Sequence, residues 1–476
     1  MLKTNKVIKE SQVMFGTSGA RGLVVDFTPD VCAAFTHAFL NVIKTKYEFD
    51  RVAIAIDNRP SSLAMAQYVA SAIKQHNYHF IFYGVIPTPA LAFRAMEDDI
   101  PCIMITGSHI PFDRNGLKFY TPYGEITKDN ERQIIDSAYD FNHLGELTEL
   151  VACNDAACTY IERYTSLFCD ELLLGKRIGI YEHSSAGREL YAQIFSRLGA
   201  DVISLGRSDK FLPIDTEAIS DEDCALAIKW ANEYRLDAIF STDGDGDRPL
   251  VADENGHWLR GDVLGLLCAD KLGIEAVAIP VSCNTVIERS GKFKYVARTK
   301  IGSPYVIDAF SQLTDMYSSI AGFEANGGFI LGSDVYINNT HLSALPTRDA
   351  VLPALMLIGS IREQPISRLV NSLPARFTFS DRLKDFPVNL SQKVINHALK
   401  FPDQFISELG FKFLTCSCID TTDGIRMSLS NGDIIHLRPS GNAPELRCYA
   451  ESSTQYMARK HVEITLKHLA TGSIYI

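Results

Sequence analysis

No stretch of this chain holds the ~20 consecutive apolar residues that a membrane-spanning helix needs, so nothing in it is patterned to cross a bilayer as a helix. The opening run, Met1-Leu2-Lys3-Thr4-Asn5-Lys6, lacks the apolar core of a signal peptide, and a cytoplasmic location is expected. Paired cysteine spacings are also missing. Eleven cysteines are scattered singly from Cys32 to Cys448, an odd number, and Cys416 and Cys418 are too close for a zinc knuckle. Reduced, mostly structural thiols are expected. Net positive charge is lacking too: the balance is −11, which argues against general nucleic-acid binding. An anionic small molecule remains compatible, provided Arg and Lys cluster locally to invert the field. No low-complexity segment, long linker or strict repeat occurs, so the chain is not a solenoid.

What is present is a globular composition, 46% hydrophobic and 22% charged over 476 residues. At ~150 residues per domain, this length suggests about three or four domains. Strand and helix patterns alternate in the first third. Thr28 is placed to cap a helix whose first position is Pro29, and Val31, Ala34, Phe35, Ala38, Phe39 and Val42 follow at helical spacing. The strand-like Val52–Ile56, a helix over 62–75, the run Phe80–Tyr83 and the run Ile103–Ile105 come next. The grammar restarts near residue 176 and again after Gly256. Strands spaced by helices of this length predict crossover units and mixed sheets. The fold class expected is α/β, with three related α/β domains over 1–148, 149–254 and 255–368. A smaller α+β domain is expected over 369–476.

Several loops carry chemistry. Thr106-Gly107-Ser108-His109-Ile110-Pro111 ends an apolar strand, which delivers Ser108 to the mouth of a sheet, where ligands bind in open α/β folds. It reads as a nucleophilic or phosphate-carrying serine, or as an ordinary turn. In Asp243-Gly244-Asp245-Gly246-Asp247-Arg248, three carboxylates alternate with glycine and require a counter-charge, which points to a hard-cation site for Mg²⁺ or Ca²⁺. An EF-hand is ruled out because Arg248 stands at its obligatory glycine position. Arg438-Pro439-Ser440-Gly441-Asn442, with Arg447 beyond it, offers a guanidinium, a hydroxyl, backbone N–H groups and an amide to a phosphate. The loop Gly16–Gly22 bears Arg21 but lacks a P-loop ending. Lys118 lies shortly after Ser108. Gly322–Gly328, with Glu324 and Asn326, suits vicinal hydroxyls or a plain strand cap equally well.

In this order, the loops resemble those of the α-D-phosphohexomutases from Phe15 to beyond Arg447. The resemblance implies that Ser108 is the phosphoserine and that Ser108, Asp243, Asp245 and Asp247 hold Mg²⁺. It further implies that Arg248, Glu324, Asn326, Arg438, Ser440, Gly441, Asn442 and Arg447 bind substrate. Three departures stand out: Ile110 replaces the usual Asn, Asn442-Ala443 replaces Thr-Glu, and Gly328 stands where some members carry His. Proton transfer then falls to Lys118, Arg21 or His109. These variants resemble the bacterial phosphomannomutase branch, which implies an isomerase interconverting mannose 1-phosphate and mannose 6-phosphate. Hexose 1,6-bisphosphate would be its intermediate and activator, acting without nucleic acid or membrane, in a monomer or homodimer. The alternatives are a phosphoglucomutase or dual-specificity enzyme, a phosphoserine-dependent sugar phosphatase, and a non-catalytic sugar-phosphate-binding protein.

Overall fold

The computed structural model describes residues 1–168, 171–440 and 444–471. Its first sheet runs in spatial order His79–Val85, Arg51–Ile56, Cys102–Ile105, Arg114–Thr121, Ala20–Leu23 and Met14–Phe15, with Gly124–Glu125 added beside Arg114–Thr121. The first three of these strands are parallel and the fourth turns back antiparallel. The second sheet repeats this pattern with Asp201–Leu205, Arg177–Tyr181, Ala238–Thr242 and Pro249–Ala252. So does the third, with Tyr295–Thr299, Ala276–Pro280, Ile320–Phe323 and Phe329–Leu331, extended antiparallel by Leu345–Asp349. In all three sheets, one of the motif loops joins the third strand to the antiparallel fourth. These loops carry Ser108, Asp243–Asp247 and Glu324–Asn326.

Local chemistry explains the elements. Helix Pro29–Ile43 starts with Pro in its first turn, and Thr28 Oγ1 accepts the N–H of Val31 as an N-cap. Its apolar stripe, including Phe35 and Phe39, packs on Ile54, Ile56, Ile103, Ile105, Leu117 and Phe119. Full burial of each such side chain stabilises by roughly 1.5–3 kcal/mol. The alternate residues Ala53, Ala55, Met104 and Tyr120 face a larger core shared by all three sheets, where Phe195, Phe240, Phe323 and Phe329 also lie. A strand buried on both faces must be apolar throughout, hence the continuous run before Ser108. Helix Asp155–Thr165, which no sequence pattern had marked, fills that shared core with Tyr160, Ile161 and Tyr164. Asn154 at its N-cap position makes no side-chain cap bond.

The last sheet is wholly antiparallel, in the order Phe377–Leu383, Leu446–Ser452, Ile434–Pro439, Ile425–Leu429 and Cys416–Asp420. Helices Val388–Lys400, Pro402–Glu408 and Gln455–Ala470 accompany it, and it has its own core around Val394, Phe405, Met427, Leu437 and Val462. Polar bonds tie it to the third unit: Thr285 N donates to Glu451 at 3.0 Å, Asn284 Nδ2 to Arg376 O at 2.8 Å, and Ile301 N to Asp423 at 3.0 Å. Among the described residues, no helix is long and apolar enough to cross a membrane.

Candidate active site

Ser108 leaves the strand Cys102–Ile105 in a left-handed conformation, φ 54°, which a non-glycine residue keeps only when its surroundings enforce it. The enforcement comes from Asp57 and Arg59. Asp57 accepts from Thr106 Oγ1 at 2.7 Å, and Thr106 Oγ1 in turn accepts the N–H of Ser108 at 2.8 Å. The buried Arg59 guanidinium donates to the carbonyls of Ser108 at 2.9 Å, Pro111 at 2.7 Å and Arg114 at 2.9 Å. Gly107 is a necessity of this arrangement, because a Cβ there would meet Arg59 Cζ at 2.4 Å. Arg21 is half-buried, and its Nη1 donates to the carbonyl of Thr106. Burial lowers the Arg21 pKa to about 10, partly offset by Asp245.

The three aspartates come from the neighbouring sheet. Asp243, Asp245 and Asp247 are fully buried, and one ligand oxygen from each lies within 4.8 Å of the others. Ser108 Oγ donates to Asp243 Oδ2 at 2.6 Å. Lys118 Nζ donates to Asp245 Oδ2 at 2.5 Å and Asp247 Oδ2 at 2.7 Å, and Thr88 Oγ1 adds a bond to Asp245 at 2.8 Å. Burial and the charges of Asp245 and Asp247 push Asp243 well above the usual carboxylate range. Burial would raise Asp245 and Asp247 too, but Lys118 draws Asp245 down and Arg348 draws Asp247 down. Two carboxylate oxygens, Asp245 Oδ1 and Asp247 Oδ1, are buried without a hydrogen-bond partner. Unpaired buried oxygens beside a third carboxylate and a serine hydroxyl make a hard donor set that fits a divalent cation.

Beside them, Arg248 Nη1 donates to His109 Nδ1 at 2.6 Å, and the same Nδ1 is 3.3 Å from Ser108 Oγ. Burial and Arg248 lower the His109 pKa to about 3, so the ring is neutral. Glu324 is buried and pairs with Arg348 at 3.3 Å. Asn326 Oδ1 accepts the N–H of Gly328 at 3.0 Å, bracing its own loop, while Thr216 Oγ1 donates to the Asn326 carbonyl at 2.7 Å.

Comparison with known proteins fits this geometry. The descriptions "Phosphoglucomutase/phosphomannomutase, alpha/beta/alpha domain I" and "domain II" match residues 12–142 and 159–256. A phosphomannomutase of Salmonella muenchen is 59% identical over 98% of this chain and 97% of its own length. The chain belongs to the phosphoglucomutase/phosphomannomutase family. Another phosphomannomutase, from Sinorhizobium fredii, is 39% identical over 92% of this chain and 94% of its own. Among solved structures, a phosphoglucomutase/phosphomannomutase family protein from Burkholderia thailandensis shares the fold. Its TM-score is 0.74 at 19% identity, over 99% of this chain and 98% of that one.

In this member of the phosphoglucomutase/phosphomannomutase family, hydrogen bonds and ion pairs join Ser108, His109, Lys118, the three aspartates and Arg248. Through Arg348 they extend to Glu324, and Arg21 lies within electrostatic reach of Asp245 and Asp247. Arg438 stands in the last domain, ion-paired to Asp423 at 2.8 Å, and Arg447 lies opposite it on the next strand with its Nε buried and unpartnered. Ser440 is buried, its N–H donating to the Glu445 carbonyl at 2.8 Å. Gly441 and Asn442 lie outside the described residues. Sequence reading passed over Asp57, Arg59, Arg260, Arg348 and the segment 215–217. Asp215 influences His109 and Arg248, while Glu217 faces Arg260 and Arg447, and burial raises its pKa. Asp57-Asn58-Arg59-Pro60 directly follows the strand Arg51–Ile56. Its charged pair, set between an apolar strand and a proline, was the available signal.

Proposed function

We propose that this chain is a phosphomannomutase that interconverts mannose 1-phosphate and mannose 6-phosphate through a phosphorylated Ser108. The observation that carries the reading is the Ser108 hydroxyl, 2.6 Å from Asp243 at the edge of a buried three-carboxylate cluster. The choice of sugar is supported by the 59% identity to the Salmonella muenchen phosphomannomutase.

In the proposed cycle, phospho-Ser108 gives its phosphoryl group to the free hydroxyl oxygen of the bound hexose monophosphate. The P–O bond to Ser108 breaks, a P–O bond to the sugar forms, and the hydroxyl proton passes to a protein base. The hexose 1,6-bisphosphate then turns around and returns its other phosphoryl group to Ser108. Lys118, Arg21 and Arg248 set positive charge around the transferring group, and positioning with electrostatics supplies most of the catalysis. Asp243, Asp245, Asp247 and Ser108 would hold Mg²⁺, which supplies further positive charge against the phosphoryl oxygens. Glu324 and Asn326 bind sugar hydroxyls, and Arg438, Ser440, Gly441, Asn442 and Arg447 bind the second phosphate. His109 Nδ1 accepts from Arg248 Nη1 at 2.6 Å and lies 3.3 Å from Ser108 Oγ, which sets the ring beside the serine.

The same proposal divides the chain into domains 1–148, 149–254, 255–368 and 369–476, and each main sheet falls inside one of them. It places the enzyme in the cytoplasm as a monomer or homodimer. The test is a coupled assay with mannose 1-phosphate, glucose 1-phosphate and glucosamine 1-phosphate, run beside Ser108→Ala. Mannose 1-phosphate should be turned over best, and the variant should lose both turnover and the covalent phosphoryl mass. Full activity in Ser108→Ala sinks the mechanism, and release of free phosphate in place of isomerisation makes the protein a phosphatase.

A further inference from the structure

Arg348 is the penultimate residue of the strand Leu345–Asp349, is 2% exposed, and belongs to none of the motif loops. Its Nε and Nη2 donate to Asp247 Oδ2 at 3.1 and 2.8 Å, and its Nη1 donates to Glu324 Oε2 at 3.3 Å. One guanidinium thus joins a carboxylate of the aspartate loop to the carboxylate of the sugar loop. Lys118 occupies the same Asp247 Oδ2 at 2.7 Å and Asp245 Oδ2 at 2.5 Å. The Oδ2 atoms of both aspartates are therefore tied down, while both Oδ1 atoms are buried without a hydrogen-bond partner, that of Asp247 lying 3.7 Å from Arg248 Nε. Holding one oxygen and freeing the other is how supporting residues orient carboxylate ligands of a cation.

The seat of this arginine is built from both sides. Gly328 lies under its stem, where a Cβ would come within 2.5 Å of Arg348 Cδ and 2.8 Å of Cγ. The adjacent Asp349 accepts the hydroxyls of Tyr160 and Tyr164, and the N–H groups of Val351 at 3.3 Å and Leu352 at 3.1 Å, which pins the end of the strand. A lysine at 348 would keep the charge but lose the planar fork that reaches both loops at once.

We propose that Arg348 is a positioning residue that couples the sugar loop to the aspartate loop. It holds Asp247 with Oδ1 free for a cation, and its own orientation depends on Glu324. The assignment of Glu324 to sugar hydroxyls and of Asp247 to the cation rests on the mutase reading above. Coupling of this kind is reciprocal: bound sugar phosphate tightens cation binding, and the cation tightens sugar binding by the same factor.

The experiment titrates Mn²⁺ by electron paramagnetic resonance, with and without saturating mannose phosphates at chemical equilibrium. It uses the wild-type chain, Arg348→Lys and Gly328→Ala. In the wild type, sugar phosphate should tighten Mn²⁺ binding by about fivefold or more. Arg348→Lys should weaken Mn²⁺ binding about 10- to 100-fold and abolish the tightening. Gly328→Ala keeps the arginine but displaces its stem, and should shift both quantities in the same direction, which keeps the test alive if Arg348→Lys does not fold. Wild-type Mn²⁺ affinity that ignores sugar phosphate overturns the proposal, as does unchanged affinity and coupling in the folded variants. A wild type that turns over mannose 1-phosphate while the variants match it in Mn²⁺ binding overturns only the role of Arg348. A wild type that binds no Mn²⁺ and turns over no sugar overturns the mutase reading with it.

Discussion

Lys118 is 1% exposed and donates to two fully buried carboxylates. Removing one partner of a buried ionic cluster costs about 3–5 kcal/mol, because the remaining charges stay unpaired. Lys118→Met should therefore lower the melting temperature and abolish activity. Because the aspartates then lack their ammonium, Mg²⁺ should raise the melting temperature of the variant more than that of the wild type. Thermal melts with Mg²⁺ and with chelator measure this, and equal responses in both chains would contradict the cluster's geometry. At this scale, the sequence disclosed residues that break a local rule. Ser108 ends an apolar run, and three aspartates crowd one short loop. Arg59 and Arg348 stand out less, because an arginine near a strand end looks like any surface cation; for Arg59 the nearby Asp57 is the one local hint. Their importance lies in the carbonyls and carboxylates that folding brings to them.

Helices and strands were legible where a cap or a clean period marked them. Helix Pro29–Ile43 was expected from Thr28, Pro29 and an apolar stripe, and it forms with that cap bond in place. Thr28→Ala should cost about 1 kcal/mol of stability, read as a lower denaturation midpoint with unchanged kcat, since the helix packs away from the aspartate cluster. A stability equal to wild type would show that the cap bond adds nothing. Helix Asp155–Thr165 escaped notice because its four core residues, Ala156, Tyr160, Ile161 and Tyr164, acquire meaning only against the other sheets. The shared strand order of the first three sheets was hidden as well. Parallel neighbours are chosen by crossover geometry, which leaves no mark on spacing along the chain.

For the molecule as a whole, acid is the stress its interior is least able to absorb. Burial lowers His37 and His76 to about 4, and the two rings meet at 3.1 Å, Nδ1 to Nδ1. Unfolded imidazoles bind protons near about 6.5. Between that pH and 4, the unfolded chain takes up more protons on these groups, so their contribution to stability is lost as the pH falls through the window. His76→Phe keeps a ring against Tyr78 and Tyr139 but removes one titrating group together with its Nδ1 hydrogen bond to His37. Its melting temperature should fall less than that of the wild type between pH 7 and pH 5. An equal fall in both chains would exclude the pair as a source of acid sensitivity.

The sequence alone determined the α/β alternation, the smaller α+β last domain and the crowding of three carboxylates in one short loop. Each of these is written in neighbouring residues through period, capping or charge crowding. Tertiary structure alone decided that the three motif loops meet, that Lys118 holds Oδ2 of Asp245 and of Asp247 while Arg348 shares that of Asp247, and that Gly107 and Gly328 must be bare. Those facts depend on distances between residues far apart along the chain, and such distances exist only once the shared core has closed.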